Sequence, residues 1–363
     1  MAFRPRASDP ANAGGPGGTP SRIALDHPIP LPRILDQARD WLKRLFRREP
    51  VPGRWLDGSA WSVHGWIGFR PWILPRRRYR LYVPRGHRRW QRASLIVLIH
   101  GCKQTADELA RGARIAALAD DKRVLVLMPD QADGANPYRC WNWFDARTSR
   151  GLGEAAIVAA MIAKVRRRWR VDDRVLVAGM SAGAALAAVL GIHHRDVVGA
   201  VATHSGIASG AAASAFSALT VMRRGPETDV ADIAREAARA QRAGHPVRLL
   251  ALQGMADDVV APRHACALVR QFLAANGVDV PAGAVTSIPA ADRDTRDVST
   301  LPYVVRTREW HRDGKPLVRL VETESLGHAW GGGDGAMAFN DARAPDATAL
   351  VGVWLDDAFP AQR

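Results

Sequence analysis

The chain has 363 residues, 47% of them hydrophobic, which is enough for one large domain with a substantial core. Its net charge is +15, but residues 1–92 contain 19 basic and only 6 acidic side chains, so the remainder is nearly neutral. That distribution argues against nucleic acid as a partner of the main body, as does the lack of a zinc-finger spacing or an interleaved basic and aromatic pattern. No apolar run has the length of a membrane span, and the first 20 residues have no apolar core, so the sequence predicts neither a membrane helix nor a signal peptide.

The N-terminal part predicts an extension in front of the main domain. Residues 1–32 are rich in Pro, Gly, Ala and Arg, which predicts a disordered tail. Residues 33–75 follow as a second segment. Within it, residues 33–48 place apolar side chains on one helical face and basic ones on the other. This helix either docks on the main domain or lies on an anionic membrane or granule surface. Residues 51–75 concentrate tryptophans among Gly and Pro and predict an irregular hairpin.

Residues 76–360 predict the main domain, because short apolar strands alternate there with helical patterns. This alternation is typical of the α/β class, with a mostly parallel sheet covered by helices on both faces. A hairpin about Asp313-Gly314 joins the last two strands. The predicted strands are 78–83, 95–99, 123–128, 174–178, 198–203, 247–253, 303–310 and 316–323. The predicted helices are 106–120, 152–169, 182–193 and 262–276, a helical region at 212–242, and a last helix at 346–358.

The stretch from Arg174 to His193 predicts a strand that turns sharply into a helix. An apolar run is interrupted by Gly179-Met180-Ser181-Ala182-Gly183 and followed by Ala and Leu at helical spacing. Glycines on both sides let the backbone bend, and Ser181 at the corner projects its hydroxyl above the sheet. This pattern is that of the nucleophile elbow of the α/β-hydrolase fold, although an ordinary turn between strand and helix is the alternative.

A serine nucleophile requires a base, and the base requires an acid that orients it. In this fold the acid and the base follow the serine in that order, after later strands. Asp257 and Asp258 come directly after the strand at 247–253, and His328 stands in a glycine-flanked loop after the strand at 316–323. Asp pairs in loops are often plain surface, and single histidines are often structural. The order and the loop setting nevertheless favour a catalytic triad.

The tetrahedral intermediate of ester hydrolysis needs backbone N–H donors for its oxyanion. One donor is expected to be the amide of Ala182, directly after the serine. The other donor is expected in the loop after an early strand, where the sequence has His100-Gly101-Cys102. We therefore assign the amide of Cys102 as the second donor. This chemistry calls for no metal and no organic cofactor.

Seven stretches together resemble the poly(3-hydroxybutyrate) depolymerase family of esterases over about residues 78–358. The resemblance implies Ser181 as nucleophile, Asp257 rather than Asp258 as acid, and His328 as base. It places Cys102 in the oxyanion loop, and Trp141 and Asn142 in the motif that lines the substrate cleft. The stretches are HGCKQTADELA (100–110), NPYRCWNWF (136–144), AGMSAGAALAAVL (178–190), THSG (203–206), GMADDVV (254–260), LGHAWGGG (326–333) and NDARAPDA (340–347).

The resemblance also bears on redox state and compartment. In secreted relatives the cysteines that match Cys102 and Cys140 are expected to be bonded to each other. The resemblance implies an extracellular protein, and because no signal peptide is visible in this sequence, the cytoplasm is the alternative. Only 35 residues of this sequence follow His328, so we expect no linker and polymer-binding domain of the kind that extracellular depolymerases of this family add, and soluble oligomers or small acyl esters rather than crystalline polymer as substrates.

The sequence therefore predicts a serine esterase of the polyhydroxybutyrate depolymerase type. Its expected substrates are 3-hydroxybutyrate oligomers, the polyester itself or short-chain acyl esters. One alternative is a feruloyl or acetyl-xylan esterase, which shares the elbow and the order of the triad. Another is a protein that chiefly binds granules or membranes through residues 33–48.

Overall fold

A computed structural model of the protein describes residues 51–65, 75–227, 229–241, 245–281, 284, 286–299 and 302–360. The predicted tail 1–32 and the predicted amphipathic helix 33–48 lie outside the described residues, as do Trp66 and Trp72 of the tryptophan-rich segment. In the described part, no helix combines the length and the apolar character that a membrane crossing needs.

The described residues form a central sheet whose strand order is β1-β2-β4-β3-β5-β6-β7-β10-β9-β8. The six strands from β4 to β10 in that order run parallel to one another, and antiparallel strands flank this group on both sides. The strands of this sheet are β1 Arg54–Trp61, β2 Arg76–Val83, β3 Ala93–Ile99, β4 Leu125–Asp130, β5 Val171–Met180, β6 Ala200–His204, β7 Arg248–Gly254, β8 Arg293–Asp297, β9 Val305–Arg312 and β10 Lys315–Thr323. Two short strands, β11 Trp330–Gly331 and β12 Asn340–Asp341, pair separately.

Helices cover both faces of this sheet, which confirms the predicted α/β-hydrolase architecture. One apolar core lies between the sheet and α3 to α7, and a second lies between the sheet and α1, α2 and α8. Because both faces are covered, central strands such as β3 are buried along their whole length. The helices are α1 Ala106–Gly112, α2 Ile115–Lys122, α3 Gly153–Trp169, α4 Ala182–His193, α5 Ala215–Arg224, α6 Ala231–Ala240, α7 Arg263–Ala275 and α8 Ala347–Ala358.

Apart from the short strands β11 and β12, which the sequence does not predict, the structure departs from the predicted elements at four places. The helix predicted over 106–120 is two helices, because Arg114 between them has a left-handed backbone with a φ of 52°. The helical region at 212–242 likewise divides into α5 and α6. Residues 54–61 form an edge strand paired with β2, so the sheet extends beyond the predicted domain start at residue 76. Strand β8 was not predicted, because all five of its side chains are exposed and show no apolar alternation.

Candidate active site

Ser181 occupies a strained turn between β5 and α4. Its φ is 55° and its ψ is −120°, a conformation that residues other than glycine rarely adopt. The flanking glycines are required by close backbone approaches. A Cβ at Gly179 would lie 2.5 Å from the backbone of Gly183, and one at Gly183 would lie 2.2 Å from the carbonyl oxygen of Ile99. The buried end of β5 and the apolar helix α4 hold this turn in place, which is the geometry of a nucleophile elbow.

Asp257 and His328 are joined by a hydrogen bond of 2.8 Å between Oδ2 of the carboxylate and Nδ1 of the imidazole. The other carboxylate oxygen of Asp257 accepts hydrogen bonds from the amides of Val259 and Val260, at 3.0 and 2.8 Å. Burial alone would raise the pKa of Asp257, but the hydrogen bond and charge of His328, together with the Val260 amide and a further hydroxyl, hold this pKa below its usual value. Asp258, the next residue, is exposed on the same loop.

Ser181 lies at the carboxyl ends of the parallel strands, as does this pair. Its amide donates to the carbonyl oxygen of His204 at the end of β6, with a distance of 2.9 Å. Strands β5, β6, β7 and β10 are consecutive neighbours, so the loops that carry Ser181, Asp257 and His328 leave the sheet side by side. Within the described part of the chain, the Ser181 hydroxyl forms no hydrogen bond. The structure thus pairs His328 with Asp257 but not with Ser181.

The loop after β3 packs directly against the elbow. A Cβ at Gly101 would lie 3.4 Å from Cβ of Ser181. The ring of His100 is fully buried, and burial lowers its pKa, so it is neutral. Its Nδ1 donates to the Gly101 carbonyl at 2.7 Å, and its Nε2 accepts from the Gln131 amide at 3.1 Å. These bonds fix the peptide that ends at the Cys102 amide. Neither that amide nor the Ala182 amide has a hydrogen-bond partner among the described residues.

A disulfide joins Cys102 to Cys140 and ties the loop after β3 to the segment after β4. Trp141, the next residue, is fully buried, and its indole N–H has no partner within the described ranges. Asn142 donates through its backbone and side-chain amides to the buried carboxylate of Glu154, at 2.7 and 3.1 Å. Both residues therefore lie beside the loop of Cys102, but Trp141 has no exposed surface and Asn142 is bonded inward. Their contact with a substrate stays a prediction.

His204 and Ser205, which the sequence reasoning gave no role, contact the predicted triad. The hydroxyl of Ser205 helps to hold the pKa of the Asp257 carboxyl below its usual value, and Ser205 has a φ of 51°. Nδ1 of His204 lies 3.3 Å from that hydroxyl, and its ring stacks on Trp330 with 5.4 Å between ring centroids. The only sequence signal for these residues was their place in the stretch THSG (203–206), directly after a parallel strand.

Two buried histidines make the stability of the fold dependent on pH. Burial is the largest cause that lowers the pKa of His193 and of His204 from 6.5 to about 4 each. Between these values the unfolded chain binds protons that the folded chain excludes, so stability falls as the pH falls from 6.5 towards 4. Each histidine accounts for a loss of about 2 kcal/mol between about pH 7 and about pH 5.

This dependence is testable by urea unfolding at those two pH values. We expect a His204→Gln variant to lose about 2 kcal/mol less than the parent protein between them. Since glutamine does not titrate, the comparison isolates the proton bound at position 204. The same loss in both proteins would contradict the assignment of a neutral, buried His204.

No group of three or more His, Cys, Asp or Glu side chains within the described residues is arranged to hold a metal ion.

Residues 77–294 match the family model described as Esterase PHB depolymerase. Poly(3-hydroxyalkanoate) depolymerase C of Paucimonas lemoignei is 32% identical over 245 residues, which cover 65% of this chain and 55% of that protein. Feruloyl esterase B of Neurospora crassa is 27% identical over 285 residues, 75% of this chain and 89% of that protein. The chain thus spans little more than half the length of the depolymerase.

Among solved structures, an acetyl xylan esterase from Aspergillus awamori covers 75% of this chain and 94% of its own, with a TM-score of 0.57. At 17% sequence identity this likeness concerns the fold.

Proposed function

The chain belongs to the esterase PHB depolymerase family, and from that premise we propose that it is a serine esterase that hydrolyses carboxylic esters. The observation that carries the proposal is the strained backbone of Ser181. A φ of 55° with a ψ of −120° destabilises the fold when the residue is not glycine. Proteins keep such a conformation at a nucleophile elbow, because it makes the serine side chain project from the turn. The hydrogen bond of 2.8 Å between His328 and Asp257, at the same end of the parallel strands, also supports a serine esterase.

In the proposed reaction, His328 takes the proton of the Ser181 hydroxyl as that oxygen attacks the ester carbonyl carbon. Asp257 accepts from Nδ1 of His328, which leaves Nε2 as the base and stabilises the imidazolium that forms. The amides of Cys102 and Ala182 donate to the oxyanion of the tetrahedral intermediate. His328 then protonates the leaving alcohol, and a water molecule activated by His328 releases the acid from the acyl-enzyme.

The free amides are positioned for this role by the residues around them. Because the Gly101 carbonyl is bonded to His100, the Cys102 N–H on the same peptide unit points the opposite way. The disulfide to Cys140 anchors the other side of this loop. We further propose that Trp141 and Asn142 line the substrate cleft. Their place directly after Cys140, whose disulfide holds the loop of Cys102, supports this.

For the substrate, we propose 3-hydroxybutyrate oligomers, the polyester or short-chain acyl esters. The depolymerase relative and the family model support this class. Feruloyl esters are the second candidate, since the feruloyl esterase relative is matched over 89% of its length. We expect faster turnover, measured as kcat/KM, of hydroxybutyrate oligomers and p-nitrophenyl butyrate than of a feruloylated sugar or acetylated xylan. A higher value for the feruloylated sugar would replace the first candidate by the second.

The place of Ser205 beside the predicted triad leads to a prediction about its effect on the Asp257 carboxylate. A Ser205→Ala variant removes a hydroxyl that helps to lower the pKa of the carboxylate but leaves the hydrogen bonds from the amides of Val259 and Val260. We expect kcat for p-nitrophenyl butyrate to fall about fivefold with KM unchanged, because a typical polar interaction of this kind contributes about 1 kcal/mol. The control is Ser209→Ala, a buried serine whose hydroxyl bonds the Ser149 carbonyl instead. Equal losses of kcat in the two variants would contradict a specific role for Ser205.

A further inference from the structure

A strongly basic surface lies at the amino ends of the central strands, where the turn between β2 and β3 meets the end of α3. Residues 84–92 and 166–174 contain nine arginines and two aspartates. The two aspartates, Asp172 and Asp173, pair with Arg174 and Arg166. Six arginines have no carboxylate within ion-pair distance among the described residues, and we call them the arginine patch: Arg88, Arg89, Arg92, Arg167, Arg168 and Arg170.

The two segments form one continuous surface. The Arg170 side chain donates to the carbonyl oxygen of Trp90 at 3.4 Å. The guanidinium of Arg89 lies over the ring of Trp169, 5.1 Å from its centroid. Strands β3 and β5, which begin directly after Arg92 and Arg170, are neighbours in the sheet. The positive charges of the two segments are therefore adjacent in space.

Exposed indoles accompany these charges. The side chain of Trp90 is 63% exposed in the middle of the patch. Trp61 is half exposed and lines a groove of about 430 Å³ together with Lys164 and Arg167. Tryptophan beside arginine is typical of membrane–water interfaces, where the ring enters the headgroup layer and the guanidinium meets lipid phosphates. This pairing favours a lipid surface over a purely electrostatic partner such as duplex DNA.

We propose that the arginine patch docks the protein on an anionic phospholipid surface, with the guanidinium groups against headgroup phosphates and Trp90 in the interfacial layer. Strand β5 runs from the patch to the elbow, and its ten residues span about 30 Å. Docking at the amino ends of the strands therefore leaves the edge that carries Ser181 facing away from the lipid. The inference does not depend on the proposed esterase activity.

The test is co-sedimentation of the full chain with vesicles at about 0.15 M salt, where long-range attraction is screened. The vesicles are phosphatidylcholine alone or with phosphatidylglycerol. The patch variant combines Arg88→Gln, Arg92→Gln and Arg167→Gln, all at exposed positions. We expect it to bind the anionic vesicles roughly a hundredfold more weakly than the parent protein, since each arginine near the surface contributes about a fivefold factor. A Trp90→Ala variant, which leaves the charge unchanged, is expected to bind several-fold more weakly.

The matched control combines Arg111→Gln, Arg223→Gln and Arg224→Gln, three exposed arginines on α1 and α5 that form no ion pair with a described carboxylate. It changes the net charge equally, and we expect vesicle binding within about twofold of the parent. Residues 33–48 are present in every variant, so unchanged binding of the patch variant would assign adsorption to another part of the chain and overturn the proposal. A patch variant that loses duplex DNA binding but keeps vesicle binding would also overturn it. Hydrolysis of a soluble ester is measured alongside and is expected to be unchanged in all variants.

Discussion

A Ser181→Ala variant is expected to hydrolyse p-nitrophenyl butyrate at least about 10⁴-fold more slowly than the parent protein. The substitution removes the one oxygen that would form the acyl-enzyme, while Asp257, His328 and the two free amides stay in place. Residual hydrolysis over water is still expected, because oxyanion binding does not require the nucleophile. The measurement is kcat/KM from initial rates, with circular dichroism and the unfolding midpoint to show that the variant is folded.

The matched control for this variant is Ser287→Ala. Ser287 is exposed, and among the described residues only its backbone forms hydrogen bonds. We expect its kcat/KM to stay within about twofold of the parent, as is usual for a surface substitution. Retained hydrolysis in folded Ser181→Ala would show that the elbow is not the site of the chemistry. The family assignment would then stand without the proposed mechanism.

The elements that sequence could predict are those whose signal is local. Helix α4 follows the predicted bounds, because the glycines of the elbow mark its start and its apolar residues continue to His193. The hairpin at Asp313-Gly314 was predicted from its turn residues, and the structure places Asp313 at a φ of 52°. Asp257 and His328 were predicted from their position after strands. Their hydrogen bond depends on strands β7 and β10 being neighbours in the sheet, which the sequence does not predict.

Other features depend on distant contacts and left no pattern in the sequence. The break at Arg114 interrupts a periodicity that reads as continuous through 106–120. The exposed strand β8 pairs with β9 through its backbone, so its side chains carry no apolar signal. The contact of Ser205 with Asp257 joins two loops 52 positions apart, and the hydrogen bonds of His100 cross from β3 to the segment after β4. Such contacts follow from tertiary structure rather than from local propensity.

The positive charge of the chain is distributed unevenly along the sequence. The net charge suggests an anionic partner, but it is concentrated in the first quarter of the chain. Part of that quarter lies in the described domain, where the turn of residues 84–92 joins the arginines at the end of α3. Because this surface lies at the strand ends opposite Ser181, the proposed docking and the proposed catalysis can be separated by substitution.

The second large loss of activity is expected when Asp257 is substituted. An Asp257→Asn variant keeps the shape of the side chain but removes its charge, and its amide nitrogen can no longer accept from Nδ1 of His328. The imidazole then loses both its orientation and the stabilisation of its protonated form, so we expect kcat to fall about 10³ to 10⁴-fold. The adjacent Asp258→Asn variant is the matched control. Asp258 carries the same charge on the same loop, but it is exposed and has no bond to His328.

We expect Asp258→Asn to retain kcat within about twofold, because an exposed carboxylate is screened by solvent. The two variants have the same net charge, so a difference between them measures the hydrogen bond to His328 and not the electrostatics of the loop. Equal activity in both would remove Asp257 from the proposed triad. A large loss in Asp258→Asn alone would assign the acid to the neighbouring position, and the base would then have to move away from its present partner to reach it.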